Sequence, residues 1–163
     1  MIVTFGQPHE QDLQRIMEIE RSGFSAAEAA TRKSMLARIK LIPETFIVAY
    51  DEQKQPLGYI VGPASRERYI SDDLFDKTTP NSMEAPYQTI LSLVVSPEKQ
   101  KMGLAGQLLQ QLKKAAQKQG RKLITLTCLE KLVPFYKKYG YQVDGISDSQ
   151  HAGEVWYNMT QTL

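Results

Sequence analysis

Residues 87–128 limit the possible folds of this chain more than any other stretch. "YQTILSLVV" is its strongest strand signal, dense in apolar and β-branched residues. Leu104, Ala105, Leu108, Leu109, Leu112 and Ala116 then recur at helical spacing until Gly120 ends the run. "KLITLTC" follows as a strand of the fully buried kind. A strand, a helix and a strand in that order predict a parallel crossover, and so an α/β fold.

The remaining elements attach to this unit. "MIVTFG" reads as a first strand that Pro8 stops. Leu13, Ile16, Met17 and Ile19 mark a first helix. Ser25 and Glu28 form a capping-box pattern, which predicts that a second helix starts there and runs to Pro43. "TFIVAY" and "PLGYIVG", joined by "DEQKQ", predict a hairpin. Residues 64–84 show no period and read as a long loop with one short helical turn around Asp73. Loops of this length are often functional. "KLVPFYKKYG" is a short helix, and "YQVDG" and "GEVWYNMTQ" are two closing strands. The predicted order is βααββ–β–α–β–α–ββ, in one domain spanning residues 1–163.

Composition narrows the function classes. Twenty Lys and Arg against eighteen Asp and Glu give a net charge of +2, too balanced to indicate a nucleic-acid or membrane-surface protein. The lysines of "KKAAQKQGRK" lie opposite the leucine stripe, where a solvated helix face explains them. One cysteine, Cys128, excludes an internal disulfide, and Cys and His are too few for a zinc site. No metal is expected. "MIVTFGQPHEQ" lacks the pattern of a secretory signal, and no apolar run is long enough to span a bilayer. A cytoplasmic setting is the expectation.

The junction between the strand ending at Val95 and the helix near Gly103 carries the first chemical hint. "SPEKQKMGLAGQ" places Lys99, Lys101, Gly103 and Gly106 where a helix exposes unpaired N–H groups and its positive dipole end. Such a place suits phosphate oxygens, and glycines permit close approach to the backbone. The stretch is neither a P-loop nor a dinucleotide fingerprint. Alone, it is balanced between a phosphate cradle and an ordinary connection.

Two motifs together carry a family resemblance. Gln100-Lys101-Met102-Gly103-Leu104-Ala105 resembles the Q/R-x-x-G-x-G/A signature of the GCN5-related N-acetyltransferases (GNAT). "CLEKLVPFYKKYGYQV" is similar to that superfamily's second motif, and "LVPFY" looks like its arylalkylamine branch. The resemblance implies a single twisted mixed sheet of six to seven strands flanked by about four helices. It implies acetyl-coenzyme A as cosubstrate, held in a gap between two parting strands. Leu93, Val94 and Val95 would then meet its pantetheine. Gln100 to Gly106, including Lys101, Met102, Gly103, Leu104 and Ala105, would meet its pyrophosphate. Dimers are common in the family, so a homodimer is among the expectations.

The same resemblance places Tyr136 where the family has its general acid and a cofactor contact. An ordinary phenol is protonated at neutral pH and can give a proton to a leaving thiolate. The arylalkylamine branch has two strand histidines, and their positions here are Thr89 and Leu91, neither a base. Glu84, Glu20, Thr89 and His151 are the candidate base or acceptor contacts. Phe24, Ser25, Tyr69 and Tyr87 are candidates for the acceptor pocket, expected between the first two helices and the 64–84 loop. Cys128 ends an apolar strand and reads as buried rather than nucleophilic. Trp156 reads as core or interface. The implied function is acetyl transfer to a primary amine, on a small molecule or a peptide, in a ternary complex. The competing reading is a non-catalytic acyl-coenzyme A sensor or partner-binding module on the same fold.

Overall fold

A computed structural model describes residues 2–163. In chain order the strands are β1 (Thr4–Gly6), β2 (Phe46–Tyr50), β3 (Pro56–Val61), β4 (Ala64–Ser65), β5 (Tyr87–Ile90), β6 (Ser92–Val95), β7 (Leu123–Cys128), β8 (Gln142–Ile146) and β9 (Tyr157–Thr162). The helices are α1 (Leu13–Gly23), α2 (Arg32–Leu41), α3 (Asp73–Asp76), α4 (Leu104–Lys118) and α5 (Val133–Lys138).

Two sheets form, ordered β1-β2-β3-β6 and β4-β5-β7-β9-β8. They are joined by two bent ribbons. The predicted strand 87–95 divides at Leu91, whose N–H donates to the Val61 carbonyl (2.8 Å) although Ser92 is the register partner of Val61. Two residues opposite one is a bulge, and it redirects the strand. β3 bends beside it. Past Val61, the Pro63 carbonyl still accepts from Thr89 N–H (3.1 Å), and Ala64 pairs with Gln88. Counting each bent ribbon as one strand gives seven, with β5 and β7 as the parallel pair across α4.

Alternation along the strands builds two cores. Phe46, Val48, Tyr50, Tyr59, Val61 and Val94 face α1 and α2. Ala49, Leu57, Ile60 and Val95 face the leucine stripe of α4. Both faces are covered, which is why these strands read as continuous apolar runs.

One boundary differs from expectation. Ser25 and Glu28 do make the reciprocal capping bonds (3.0 and 3.3 Å), but only around an isolated turn. Ala30 N–H leaves helical geometry to donate to Glu20 Oε2 (2.8 Å), and α2 starts at Arg32 behind a Thr31 cap. A side chain on α1 therefore sets where the next helix begins.

Gly62 lies where the ribbons cross, and a Cβ there would run into the Thr89 carbonyl. Neither backbone can retreat, because Gln88 Nε2 and Thr89 Oγ1 donate to the Gly62 and Pro63 carbonyls (2.8 and 2.6 Å). Overpacking typically costs about 1–3 kcal/mol. Gly62→Ala is expected to lose at least about 2 kcal/mol in urea unfolding. A stability within about 0.5 kcal/mol of the parent, the ordinary scatter of neutral changes, would contradict the tight crossing.

Candidate active site

The cleft follows from the split. β7 stays paired with β5 up to Ile90 and Leu126, and β6 then turns away to β3. Ser96 N–H donates to the Leu57 carbonyl (2.7 Å), so Ser96, Val94 and Ser92 direct their backbone groups at β3. By the same alternation, Leu93 and Val95 turn their N–H and C=O groups toward the gap. Among the described residues no strand pairs with that edge. Gln100 Nε2 reaches the Val95 carbonyl (3.3 Å), and the remaining groups suit an amide-bearing chain lying as a further strand.

At the β6 end the gap opens into a cradle lined by Lys99, Gln100, Lys101, Gly103 to Gly106, Phe135, Lys138 and Tyr139. Gly103 caps α4 with φ +76, in the left-handed region, and offers no side chain to the first N–H groups of the helix. Lys101 is also left-handed at φ 71. Successive turns of this kind gather N–H groups into an anion-binding concavity, and three lysines surround it. Gly106 has a different reason from the expected ligand approach. A Cβ there would lie 2.6 Å from the Tyr139 ring, so its absence lets α5 dock on α4. Met102 is about half exposed and does not line the cradle.

At the other end, past Leu93, lies a cavity of about 70 Å³. Its walls come from α1, the 25–30 turn, α2, α3, the β5–β6 bend, β7, α5 and the 147–156 segment. Tyr136 lines it beside Cys128, and its ring packs edge-on against Phe135 and Tyr141 (centroids 5.1 and 5.7 Å). Burial, with Cys128 and Tyr141 adding to it, pushes the Tyr136 phenol far above its ordinary value, so it stays protonated. Burial also pushes the Cys128 thiol up to about 11.

The opposite wall holds the charged groups. Glu20 is fully buried. Its Oε1 accepts from Tyr59 Oη, and its Oε2 accepts from Ala30 N–H and from Ser92 Oγ (3.4 Å). The Ser25 N–H holds the Glu28 carboxyl below its ordinary value. Arg38, wholly buried on α2, donates from Nη2 to the Phe75 carbonyl (3.2 Å). His151 stacks on Phe75 (5.2 Å, 7°), leans on Trp156 and brings Nε2 to 3.2 Å from the Glu28 carbonyl.

Of the residues singled out in the sequence, the cavity brings together Glu20, Phe24, Leu93, Tyr136 and His151. Val95, Gln100, Lys101, Gly103, Leu104, Ala105 and Gly106 line the cradle. Others lie elsewhere. Val94 points to the opposite face, against Gly23 of α1. Glu84 is an exposed loop carboxylate 3.7 Å from Arg66. The Thr89 hydroxyl is spent on Pro63 (2.6 Å). Ser25 holds Glu28 in position, and Tyr69 donates to Asp144 on the far side of the 64–84 loop (3.0 Å). Tyr87, the first residue of β5, is outside both cavity and cradle. Arg38, Phe75 and Trp156 are lining residues that the sequence reading did not select.

Residues 14–163 match the family model described as Acetyltransferase (GNAT) domain, and the chain belongs to that family. No curated protein matches it. Ard1 from Thermoplasma volcanium superposes with a TM-score of 0.79 at 18% identity, over 100% of this chain and 99% of that one. Arabidopsis thaliana Naa50, in complex with the bisubstrate analogue CoA-Ac-MVNAL, gives 0.75 at 16% identity over 100% of both. N-acetylglutamate synthase from Neisseria gonorrhoeae, complexed with coenzyme A and N-acetyl-glutamate, gives 0.72 at 18% identity. That match takes in 100% of this chain and 35% of the synthase. At these identities the likeness establishes the α/β fold.

Cys128 supplies a check on the cavity wall. A thiol titrating at about 11 is about one part in a thousand thiolate at pH 8, against roughly a quarter for an ordinary cysteine. Alkylation by iodoacetamide at pH 8, followed by mass, is expected to be at least about 100-fold slower in the folded protein than in urea. Equal rates would mean that the thiol is not buried in this wall.

Proposed function

We propose that the chain is an acetyl-coenzyme A-dependent N-acetyltransferase that acts on a primary amine in a ternary complex, with Tyr136 as general acid. The observation that carries this reading is the continuity of the cleft along β6. Val95 belongs to the cradle and Leu93 to the cavity, and the unpaired backbone edge lies between them. A pyrophosphate on the 99–106 N–H groups and a pantetheine along Leu93 and Val95 bring a thioester to the cavity containing Tyr136. Acetyl-coenzyme A supplies the activated acyl group: an amine attacks the carbonyl carbon, the C–N bond forms and the C–S bond breaks.

The chain's own residues then have defined tasks. The free N–H groups at the start of α4 stabilise phosphate charge by about 0.3–1 kcal/mol per contact at exposed sites. The phenol of Tyr136 stays protonated and gives its proton to the departing sulfur, and the proton that the attacking nitrogen sheds on amide formation restores the phenol. The ammonium proton of the acceptor must leave before attack. Both Glu20 oxygens are already engaged, which leaves His151, Glu28 and water in the cavity to take that proton. The Leu132–Tyr136 stretch keeps the likeness to the arylalkylamine branch, but Thr89 and Leu91 replace its histidine pair. The aromatic-amine acceptor of that branch is therefore not carried over.

Tyr136→Phe is expected to bind acetyl-coenzyme A with the parent's affinity by calorimetry. It should lose about 10²–10⁴-fold in thiol release, the usual scale of general acid–base catalysis. That corresponds to about 3–5 kcal/mol of barrier. Because the phenol's pKa is raised, the parent's rate should not fall between pH 8.5 and 9.5 through ionisation of Tyr136. Full turnover in Tyr136→Phe would remove the acid role, and absence of acetyl-coenzyme A binding would overturn the whole reading.

A further inference from the structure

Arg38 is placed where an ordinary structural arginine is not. It has no solvent exposure, yet it lines the cavity. A guanidinium carries five N–H donors. Here Nη2 reaches the Phe75 carbonyl, while Nε and Nη1 have no partner. Among the described residues no carboxylate comes within ion-pair distance of it. Glu20 and Asp76 act on its charge from further away. Glu20 cannot move closer without leaving Tyr59, Ala30 and Ser92. Buried polar groups are nearly always satisfied, and an uncompensated buried charge is strongly unfavourable. An anionic oxygen brought into the cavity would extend the shell that Nη2 begins and add to the distant compensation from Glu20 and Asp76.

Resting on the transfer reading above, we propose that the acceptor is a small amine that also carries a carboxylate, an amino-acid-like molecule, and that Arg38 binds this carboxylate. The cavity is polarised to match. Tyr136, Cys128 and Leu93 mark the acyl end, and Arg38 under Phe75 marks the other. An amine directed at the thioester leaves its carboxylate facing the guanidinium. The arginine thus selects the acceptor and orients it, and it takes no proton.

The test compares matched acceptors in the thiol-release assay: amino acids, the same amines without the carboxylate, and the corresponding aminophosphonates. The parent protein is expected to favour the carboxylated member of each pair by at least tenfold in kcat/KM, mainly through KM. Arg38→Met and Arg38→Lys should collapse that ratio toward one while acetyl-coenzyme A still binds. A parent that uses the bare amines equally well, or prefers the phosphonates, overturns the proposal. So does a variant that keeps the ratio and loses rate on all acceptors alike, the signature of a structural role. If Arg38→Met does not fold, Arg38→Lys and the parent's own ratio decide. If no amine is turned over, the transfer reading fails separately. Thermal stabilisation then decides: N-acetyl amino acids should raise the parent's Tm and not that of Arg38→Lys, and equal shifts in both overturn the proposal.

Discussion

The structure depends on one choice of hydrogen-bond partner at Leu91. Before it, the 87–95 segment pairs with β7; after it, the segment pairs only with β3. The bulge turns the backbone enough that β7 cannot follow. What would otherwise be the middle of a closed sheet becomes a slot flanked by the unpaired edges of β6 and of β7 at Thr127–Cys128. Unpaired N–H and C=O groups inside a protein are costly unless something meets them. The strand edge that makes the fold locally incomplete is also the edge an extended amide chain can complete. Bulges recur beside active sites for this reason: they end pairing at a chosen residue and redirect the next one.

A second layer of polar contacts keeps the slot from closing by collapse. Glu20 joins four pieces of chain that are far apart in sequence: α1, β3 through Tyr59, β6 through Ser92 and the 25–30 turn through Ala30. It fixes β6 against α1 and also decides where α2 begins. Arg121 does comparable work at the other end of the bent ribbons. Its Nη1 donates to the carbonyls of Ser82, Met83 and Ala85 and ties the long loop to the start of β5. Glu20 thus fixes one wall of the cleft, while Arg121 anchors the opposite end of the β5–β7 pair.

Much of this was legible from pattern alone. The crossover, the hairpin, the helical turn near Asp73 and the closing strands all follow from period and punctuation. The bulge did not. Nothing in "YQTILSLVV" distinguishes a straight strand from a bent one, because both halves are buried on both faces and carry no alternation that would break at the bend. The Ser25–Glu28 box predicts the local bonds that form but not the helix start, since Glu20 captures Ala30 from outside the window that a capping pattern covers. Val94 does not share the site of Leu93 and Val95, because strand alternation sends it to the other core. Glu84, expected as a base, and Tyr69, expected in the acceptor pocket, both face outward on the 64–84 loop.

Two charged residues did carry a readable signal. Glu20 continues the stripe of Leu13, Ile16 and Met17, and Arg38 continues that of Met35 and Ile39 toward Ile42. A charge on the apolar face of an amphipathic helix either snorkels to solvent or has a reason to stay buried. Neither snorkels here. They differ in how far the rest of the chain satisfies them: Glu20 is met on both oxygens by three partners, and Arg38 only at Nη2. The protein therefore supplies the full complement for its buried anion and only part of it for its buried cation. That asymmetry gives the cavity its chemical direction. The settled carboxylate is framework, and the unsettled guanidinium is the group whose balance is completed from outside the chain.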